Sequence, residues 1–383
     1  MKLLLFFGSG ISFESGLPQV EVITNKLLFC DWQSHSDSNF YIGAKHPGIV
    51  DGKVARQQKF LRLLSSLAET YFREKGLFRR KINYEDLYHL VQQIEFDLEN
   101  GIHNPAVGKF IADLRSVTKT ICTPIGGEHE FNLARLAEEA ARFICCGVWL
   151  SLKMLVEPKG LNCLTGLLKS EKISKLDVVT LNHDLILEAV IGMSGIDGFV
   201  EQDGDYRLYS DKWFDDESHN RVRLVKLHGL INWWRSLETL HYFVPLKNSL
   251  LECKTSDGKR LSSHPRPEIL IGSHNKLLNY RFGIFANLHF RFYQLLREHK
   301  TIVMSGYSWN DIGINSWLSE WFYSSAEKRL LLLHHKQLDE IVFGISTIFQ
   351  WRFRQLVDSD QIVLIQKWFS ETTAEDLLDE IRG

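Results

Sequence analysis

Two short clusters of polar residues stand where apolar, strand-like runs end. Asn182 and Asp184 follow the run 176–181, and His228 follows the run 222–227. In an open α/β sheet such positions lie at the carboxyl edge, where ligands bind, and an imidazole with an unperturbed pKa near ~6.5 suits proton transfer at neutral pH. Each cluster also has a plainer interpretation, because Asn182 and Asp184 could cap the next helix and His228 could be structural.

A glycine-containing turn follows a third apolar run, residues 2–7. Free backbone N–H groups at the start of a helix, together with the positive end of the helix dipole, would form an anion site suited to a pyrophosphate. The dinucleotide fingerprint is incomplete because Phe13 occupies its third glycine position, so an ordinary strand-to-helix turn is the alternative. The residues of this predicted site are Gly8, Ser9, Gly10, Ile11 and Ser12.

A fourth turn, Gly306, Tyr307 and Ser308, follows the apolar run 301–305. All four segments therefore stand at the ends of predicted strands. Because the carboxyl ends of parallel strands share one edge of a sheet, we expect the four segments to converge on one crevice. Their conjunction favours a ligand site more strongly than any one of them does.

Strand-length apolar runs alternate with glycine turns and helices, which predicts an α/β fold with a doubly wound, Rossmann-like parallel sheet. Helical periodicity from about 53 to 158 predicts a large helical insertion that forms a second lobe. We expect the α/β domain over 1–40 and 159–383 and the insertion over 41–158. Residues 195–223 indicate a β-hairpin with its turn at 204–205. Further strands are expected at 269–272, 301–305, 330–333 and 362–365.

Composition argues against several classes of protein. The 383 residues are 44% hydrophobic and 24% charged with a net charge of −2, and no Lys/Arg cluster indicates direct nucleic-acid binding. The apolar run at the N-terminus is too short for a signal peptide and no run could span a membrane, so we expect a cytoplasmic protein. Without a C-x-x-C pair we expect no metal, and in a reducing compartment we expect no disulfides. The cysteines expected to be buried are Cys30, Cys122, Cys145, Cys146, Cys163 and Cys253.

These motifs and their order resemble those of the sirtuin family. Residues 8–12 (GSGIS) and 15–18 (SGLP) resemble the sirtuin sequences GAGIS and SGIP, and residues 180–184 (TLNHD) resemble TQNID. Residues 227–229 resemble the catalytic His-Gly, and residues 306–308 resemble the turn that contacts the adenosine side of NAD. The resemblance implies that the chain binds NAD, with residues 8–12 at its pyrophosphate.

The sequence also departs from the protein-deacylating sirtuins. Their Asp-Phe-Arg segment is replaced by residues 19–21 (QVE), their four-cysteine zinc module is missing, and Leu181 replaces the Gln of TQNID. The chain is therefore most similar to divergent sirtuin-like domains of bacterial anti-phage systems, which hydrolyse NAD; segments 83–87, 226–232 and 306–311 support this. Its length resembles that of the stand-alone partner of a HerA-type hexameric translocase.

The resemblance implies an anti-phage effector that depletes NAD by hydrolysing it to nicotinamide and ADP-ribose. Asn182 would hold the nicotinamide ribose and position water, and Asp184 would meet the carboxamide or the developing positive charge. His228 would bind the ribose hydroxyls and act as general base. Because such an effector must be silent before infection, we expect activation by a HerA-type ATPase or by homo-oligomerisation.

Two other functions stay open. A protein deacylase or ADP-ribosyltransferase would release nicotinamide only with a second substrate, and a non-catalytic scaffold would bind NAD or ADP-ribose without turnover. A group of aromatic residues near the end of the crevice indicates either an interface or a helix packed on the sheet. These residues are Trp309, Trp317, Trp321 and Phe322.

Overall fold

A computed structural model gives the fold of the chain, which divides into two compact units. One unit comprises Met1–Leu17, Leu155–Leu270 and Lys276–Gly383, and the other comprises Pro18–Met154 and Ile271–Asn275. The structure describes all residues except 35–39, 43–51, 75–80, 100–104, 122–131, 155, 193–194, 216–220, 248–249, 265, 273–274, 345–346 and 383.

The described strands form one large parallel sheet and two smaller antiparallel sheets. In chain order they are β1 (Lys2–Phe7), β2 (Trp32–Ser34), β3 (Phe40–Ile42), β4 (Lys175–Thr180), β5 (Gly195–Ile196), β6 (Phe199–Asp203), β7 (Tyr206–Tyr209), β8 (Val222–Lys226), β9 (Trp234–Arg235), β10 (Tyr242–Pro245), β11 (Thr301–Ser305), β12 (Arg329–Leu333) and β13 (Ile362–Ile365).

The large sheet has the strand order β13-β12-β11-β1-β4-β8-β5, and all its neighbouring strands are parallel. From the central β1 the chain first builds the side with β4 and β8, and then crosses to build the side with β11, β12 and β13. This order confirms the predicted doubly wound, Rossmann-like α/β fold. The order reverses between β1 and β11, which is the position where open α/β sheets bind ligands.

Helices flank the large sheet and make up most of the second unit. The helical periodicity of residues 53–158 is confirmed by α2 to α5. In chain order the described helices are α1 (Val20–Phe29), α2 (Gly52–Glu74), α3 (Tyr84–Glu99), α4 (Pro105–Thr118), α5 (Leu133–Leu152), α6 (Asn162–Lys169), α7 (Ile186–Ile191), α8 (Asn275–Asn279), α9 (Gly283–Glu298), α10 (Ile312–Ser324), α11 (Leu338–Gly344), α12 (Thr347–Asp358) and α13 (Ala374–Arg382).

Strand β1 is apolar throughout its buried length because both of its faces are covered. Leu4 and Phe6 belong to a core cluster that includes Phe292 of α9. Leu5 belongs to a cluster on the other face, which includes Leu164 of α6. Side chains alternate between the two faces with a period of two residues, so a strand buried on both faces reads as a continuous hydrophobic run.

The hairpin expected within residues 195–223 is present. Strands β6 and β7 pair antiparallel, and Gly204 and Asp205 form the turn between them. Strands β10 and β9 extend this hairpin to a four-stranded sheet. The glycine has a φ of +60°, a left-handed conformation that explains its place in the turn.

The prediction of a strand at 269–272 is wrong. Ile269 makes one isolated antiparallel bridge with Gly229, and Leu270 donates its N–H to the His228 carbonyl at 2.8 Å. Leu270 and Ile271 are buried. The apolar run therefore reflects burial of its side chains without a strand ladder.

The prediction of a helix directly after the N-terminal glycine turn is also wrong. Residues Ser9–Ser12 form a single 3₁₀ turn, and the first α-helix begins at Val20. Gly16, with a φ of +79°, interrupts the helical conformation between them. A four-residue 3₁₀ turn carries little of the dipole that the sequence prediction invoked.

The aromatic residues that the sequence indicated as an interface lie inside the protein. Trp309, Trp321 and Phe322 are buried in the core cluster beside the sheet, and Trp317 packs against it partly buried. The alternative interpretation, a helix packed on the sheet, is therefore confirmed.

Four of the cysteines are buried, as expected: Cys145, Cys146, Cys163 and Cys253. Cys30 is exposed, which corrects the expectation for that residue, and Cys122 lies outside the described residues. Over the described ranges, no helix is both long enough and apolar enough to cross a bilayer.

Candidate active site

The four predicted segments follow four neighbouring strands of the large sheet, in the order β11-β1-β4-β8. Phe7, the last residue of β1, pairs with Ser305 on one side and Thr180 on the other. Thr180 in turn pairs with Lys226 at the end of β8. Because these strands are parallel and end in register, the residues that follow them lie along one carboxyl edge.

The turns after β1 and β11 contact each other through their backbones. The Gly8 N–H donates to the Ser305 carbonyl and the Gly10 N–H donates to the Gly306 carbonyl, both at 3.0 Å. A Cβ atom on Gly10 would lie 2.7 Å from the Gly306 Cα, and one on Gly306 would lie 2.6 Å from the Ile11 nitrogen. Residues 8, 10 and 306 are therefore glycine because two backbones pack together there.

This packing corrects the expectation that the amides of the N-terminal turn are free. Besides Gly8 and Gly10, Ile11 also uses its N–H inside the protein, donating to the Gly8 carbonyl at 3.1 Å. Ser9 is exposed at the surface of the turn, whereas Ser12 is buried. Any anion at this turn would consequently meet Ser9 rather than a full set of free amides.

Ser12 joins the first turn to the segment after β4. The Asn182 Nδ2 donates to the Ser12 Oγ at 3.0 Å, and the Ser12 Oγ donates to the Asp184 Oδ2 at 2.8 Å. The other carboxylate oxygen of Asp184 accepts the Ile186 N–H at 3.0 Å. Two predicted catalytic residues are thus held together through a serine predicted only as a cofactor contact.

Asn182 has one polar atom that the protein does not satisfy. The residue is 4% exposed, and among the described residues nothing hydrogen-bonds to its Oδ1. Lys226 supports the same segment, since its Nζ donates to the Asp184 carbonyl at 2.6 Å and to Glu188 Oε1 at 2.7 Å. A buried acceptor on a fixed loop is suited to a ligand hydroxyl or amide.

His228 lies in a polar cluster with two residues that the sequence prediction did not single out. The His228 Nε2 is 3.1 Å from the Asp311 Oδ2 and 3.1 Å from the Tyr280 hydroxyl. The Tyr280 hydroxyl donates to the same Asp311 oxygen at 2.7 Å. Asp311 also caps α10, where its Oδ1 accepts the Ile314 N–H at 3.1 Å.

The carboxylate of Asp311 determines the tautomer of His228. Burial raises the pKa of Asp311, but the hydrogen bond and charge of His228, with the charge of Lys276, outweigh burial and hold the pKa well below its usual value. An ionised carboxylate only accepts hydrogen bonds, so the His228 Nε2 carries a proton. In the neutral form of His228 the lone pair is therefore on Nδ1.

Two more histidines lie beside this cluster. The ring centroid of His183 is 6.1 Å from that of His228, and the His289 ring stacks on Tyr280 with centroids 3.6 Å apart. Burial and the charge of His228 lower the pKa of both, that of His289 to about 3. Both rings are consequently neutral near pH 7.

The turn after β11 contributes less than predicted. Tyr307 is buried, and its hydroxyl donates to the Asn315 Oδ1 at 2.8 Å and contacts the Asp311 carbonyl at 3.2 Å. Ser308 is exposed. Tyr307 therefore supports the segment that carries Asp311, and Ser308 is the side chain of this turn that faces solvent.

Comparison with known proteins identifies the region that contains these residues. Residues 177–342 match the SIR2-like domain family. Solved structures of Sir2 proteins are similar to the chain at low sequence identity, and no curated protein matches it. One, described as a Sir2 homologue–NAD complex, is 13% identical with a TM-score of 0.41 and is aligned over 100% of this chain and 89% of its own. Another, Sir2 bound to acetylated peptide, is 10% identical with a TM-score of 0.41, over 100% and 93%.

The SIR2-like match spans the segments that carry Asn182, Asp184, His228, Tyr280 and Asp311. It begins after β1, so the glycine turn and Ser12 are joined to the SIR2-like region by the contacts given above. Asp311 could have been found in the sequence, because it ends the 306–311 segment. Tyr280 belongs to no motif of the sequence, and only the fold brings it to His228. Among the described residues, no three His, Cys, Asp or Glu side chains are grouped so as to hold a metal ion.

Proposed function

We propose that the chain binds NAD at the carboxyl edge of its parallel sheet and hydrolyses the bond between nicotinamide and ribose. One observation carries this proposal: the Asn182–Ser12–Asp184 chain and the His228–Asp311 pair stand along one carboxyl edge of the parallel sheet, and all of these residues except Ser12 lie in a region that matches the SIR2-like family. The reaction consumes one water and yields nicotinamide, ADP-ribose and a proton.

Asn182 is assigned to the nicotinamide ribose and to the attacking water. Its Nδ2 is already committed to Ser12, which fixes the rotation of the amide and leaves Oδ1 as a buried acceptor. A ribose hydroxyl or a water molecule offers the O–H donor that such an acceptor lacks. The orphaned oxygen thus supports the fit of a polyhydroxylated ligand to this edge.

His228 is assigned to binding the ribose hydroxyls and to general base catalysis. Asp311 orients the imidazole through Nε2, as the third member of a catalytic triad orients its histidine. Neutral His228 then receives the proton of the attacking water. Tyr280 completes this arrangement by donating to the same oxygen of Asp311.

Asp184 is assigned to positioning. Both of its carboxylate oxygens already accept protein donors, from Ser12 and from the Ile186 backbone. Of the two roles expected for Asp184, contact with the carboxamide is therefore not assigned to it. Its negative charge nevertheless lies at the ribose end of the site, where an oxocarbenium-like transition state gains from it.

The pyrophosphate is assigned to the surface of the first turn around Ser9. The amides of Gly8, Gly10 and Ile11 donate within the protein, which leaves the exposed Ser9 as the donor of this turn. The adenosine side is assigned to the neighbouring turn at Gly306 and Ser308.

We further propose that the hydrolase is a cytoplasmic anti-phage effector, activated as a homo-oligomer or by a HerA-type ATPase. The support for this role is the resemblance of the sequence motifs to that group of sirtuin-like domains. An effector of this kind would turn over slowly in isolation. The assay below is therefore carried out with and without the ATPase.

The test is release of nicotinamide from NAD by the purified chain, by Asn182→Ala and by His228→Ala. Both substitutions should lower turnover by ~10²-fold or more. Two exposed residues of the same unit, Asn162 and His241, provide matched alanine controls that should keep the wild-type rate. Full turnover by either site variant would remove that residue from the mechanism, and NAD binding without turnover in any sample would favour a scaffold.

A further inference from the structure

His183 is a buried histidine to which the mechanism above gives no role. It lies between Asn182 and Asp184, and its side chain is 8% exposed. Its carbonyl accepts the Ile231 N–H at 3.0 Å, which fixes the segment after β4 against the segment after β8. Its ring centroid lies 6.1 Å from that of His228.

The His183 ring presents an acceptor in this site. Burial, followed by the charges of His228 and Lys276, holds the pKa of His183 well below its usual value, so the ring is neutral at pH 7. A neutral imidazole has one N–H and one lone pair. The ring hydrogen-bonds the Gly229 backbone, and within the described part of the chain its Nδ1 is buried without a partner.

Two consecutive residues therefore offer buried acceptors that the protein leaves unsatisfied, Asn182 Oδ1 and His183 Nδ1. A buried acceptor without a donor destabilises the protein, and a ligand with matching donors removes this cost. The ligand that fits must present N–H or O–H groups. Nicotinamide has two such donors on its primary carboxamide, whereas the corresponding acid has an anionic carboxylate and none.

We propose that His183 Nδ1 accepts a hydrogen bond from the carboxamide N–H of the nicotinamide ring and so makes the site selective for NAD over its nicotinic acid counterpart. The inference rests on the proposed function, and it fills the role that the satisfied carboxylate of Asp184 leaves open. The lone pair of His183 Nδ1 would repel the carboxylate of the nicotinic acid dinucleotide. The site would therefore disfavour the acid form as well as bind the amide form.

The test is equilibrium binding by the full chain, with chromatography to exclude turnover. The ligands are NAD, nicotinic acid adenine dinucleotide and 2′-deoxy-NAD, each titrated into wild type, His183→Phe and His183→Asn. The phenylalanine variant keeps a buried ring without an acceptor. The asparagine variant restores an acceptor oxygen near the position of Nδ1.

Wild type should bind NAD at least ~10-fold more tightly than the acid form. His183→Phe should bring this ratio close to one, His183→Asn should restore it, and the penalty for the deoxy ligand should be the same in all three. An unchanged NAD-to-acid ratio in His183→Phe, or no preference in wild type, overturns the inference. A His183 variant that binds NAD and 2′-deoxy-NAD equally would instead assign the acceptor to the ribose hydroxyl. This result would also overturn the inference. If wild type does not bind NAD at all, the proposed function itself fails.

Discussion

His228 and Asp311 come from strand ends that are separated by 83 residues of sequence, yet the His228 Nε2 lies 3.1 Å from the Asp311 Oδ2. The same carboxylate caps α10 through its other oxygen. One side chain therefore orients the proposed general base and anchors the helix that follows β11.

Asp311→Asn separates these two roles. Asparagine caps helices about as well as aspartate, so the melting temperature should stay close to that of wild type. The loss of the negative charge removes the group that fixes the tautomer of His228, and kcat should fall by ~10²-fold or more. Steady-state NAD turnover together with a thermal melt checks this, and a variant with the wild-type kcat would show that Asp311 acts only as a cap.

Ser12→Ala tests the link between the first turn and the segment after β4. The substitution leaves the Asn182 Nδ2 and the Asp184 Oδ2 without their shared partner, which should cost about 1–3 kcal/mol in the free energy of unfolding. Turnover should fall by ~10-fold because the Asn182 amide is no longer fixed. Urea denaturation measures the first effect. The control is Ser316→Ala, whose exposed hydroxyl donates back to the Ile312 carbonyl.

Gly306→Ala tests whether contact between two turns requires glycine. Gly306 and Gly258 both have a positive φ, of +70° and +82°, but a Cβ on Gly306 would lie 2.6 Å from the Ile11 nitrogen and one on Gly258 would meet nothing within 4 Å. Gly258→Ala should cost only the left-handed conformation, ~1 kcal/mol. Gly306→Ala should cost ~3 kcal/mol or more, since two backbones must separate. Equal losses of stability by the two variants in urea denaturation would contradict this explanation.

The lowered pKa of His289 predicts how the free energy of unfolding depends on pH. Its pKa is about 3 in the folded protein against 6.5 in the unfolded chain, because burial disfavours the charged ring. Between these values the unfolded chain binds more protons, so stability falls as the pH falls below 6.5, by about 1.4 kcal/mol per pH unit.

The phenylalanine variant His289→Phe keeps a ring stacked on Tyr280 and removes the titration. Its melting temperature should fall less between pH 7 and pH 5 than that of wild type. His241→Phe, at an exposed position, should keep the wild-type slope. Parallel slopes for wild type and His289→Phe would refute the assignment.

The sequence was sufficient to predict the sheet and the edge where the candidate site lies. Strands β1, β4, β8 and β11 are mainly apolar, buried runs that end in polar or glycine residues, although β4 also contains the buried Asp177 and β8 the buried Arg223 and Lys226. The run at 269–272 is also apolar but forms no strand ladder, because its apolar composition reflects burial alone. Apolar composition therefore locates the core more reliably than it locates a strand.

The sequence could not predict which polar atoms already have hydrogen-bond partners within the folded chain. Whether the Gly10 amide is free depends on the Gly306 carbonyl, which is almost three hundred residues away and reaches it only through the pairing of β1 with β11. Likewise, Tyr280 has no neighbouring motif and meets His228 only in the folded chain. Contacts between distant segments decide which atoms remain for a ligand.

The central claim is that NAD and water alone are the substrates. The measurement that tests it most directly is chromatographic analysis of NAD incubated with the purified chain, alone and with the proposed HerA-type ATPase, and with or without an acyl-lysine peptide. We predict nicotinamide and ADP-ribose in equal amounts, at a rate that the peptide does not change. Nicotinamide release that requires the peptide, accompanied by loss of its acyl group, would contradict the claim and make the chain a deacylase.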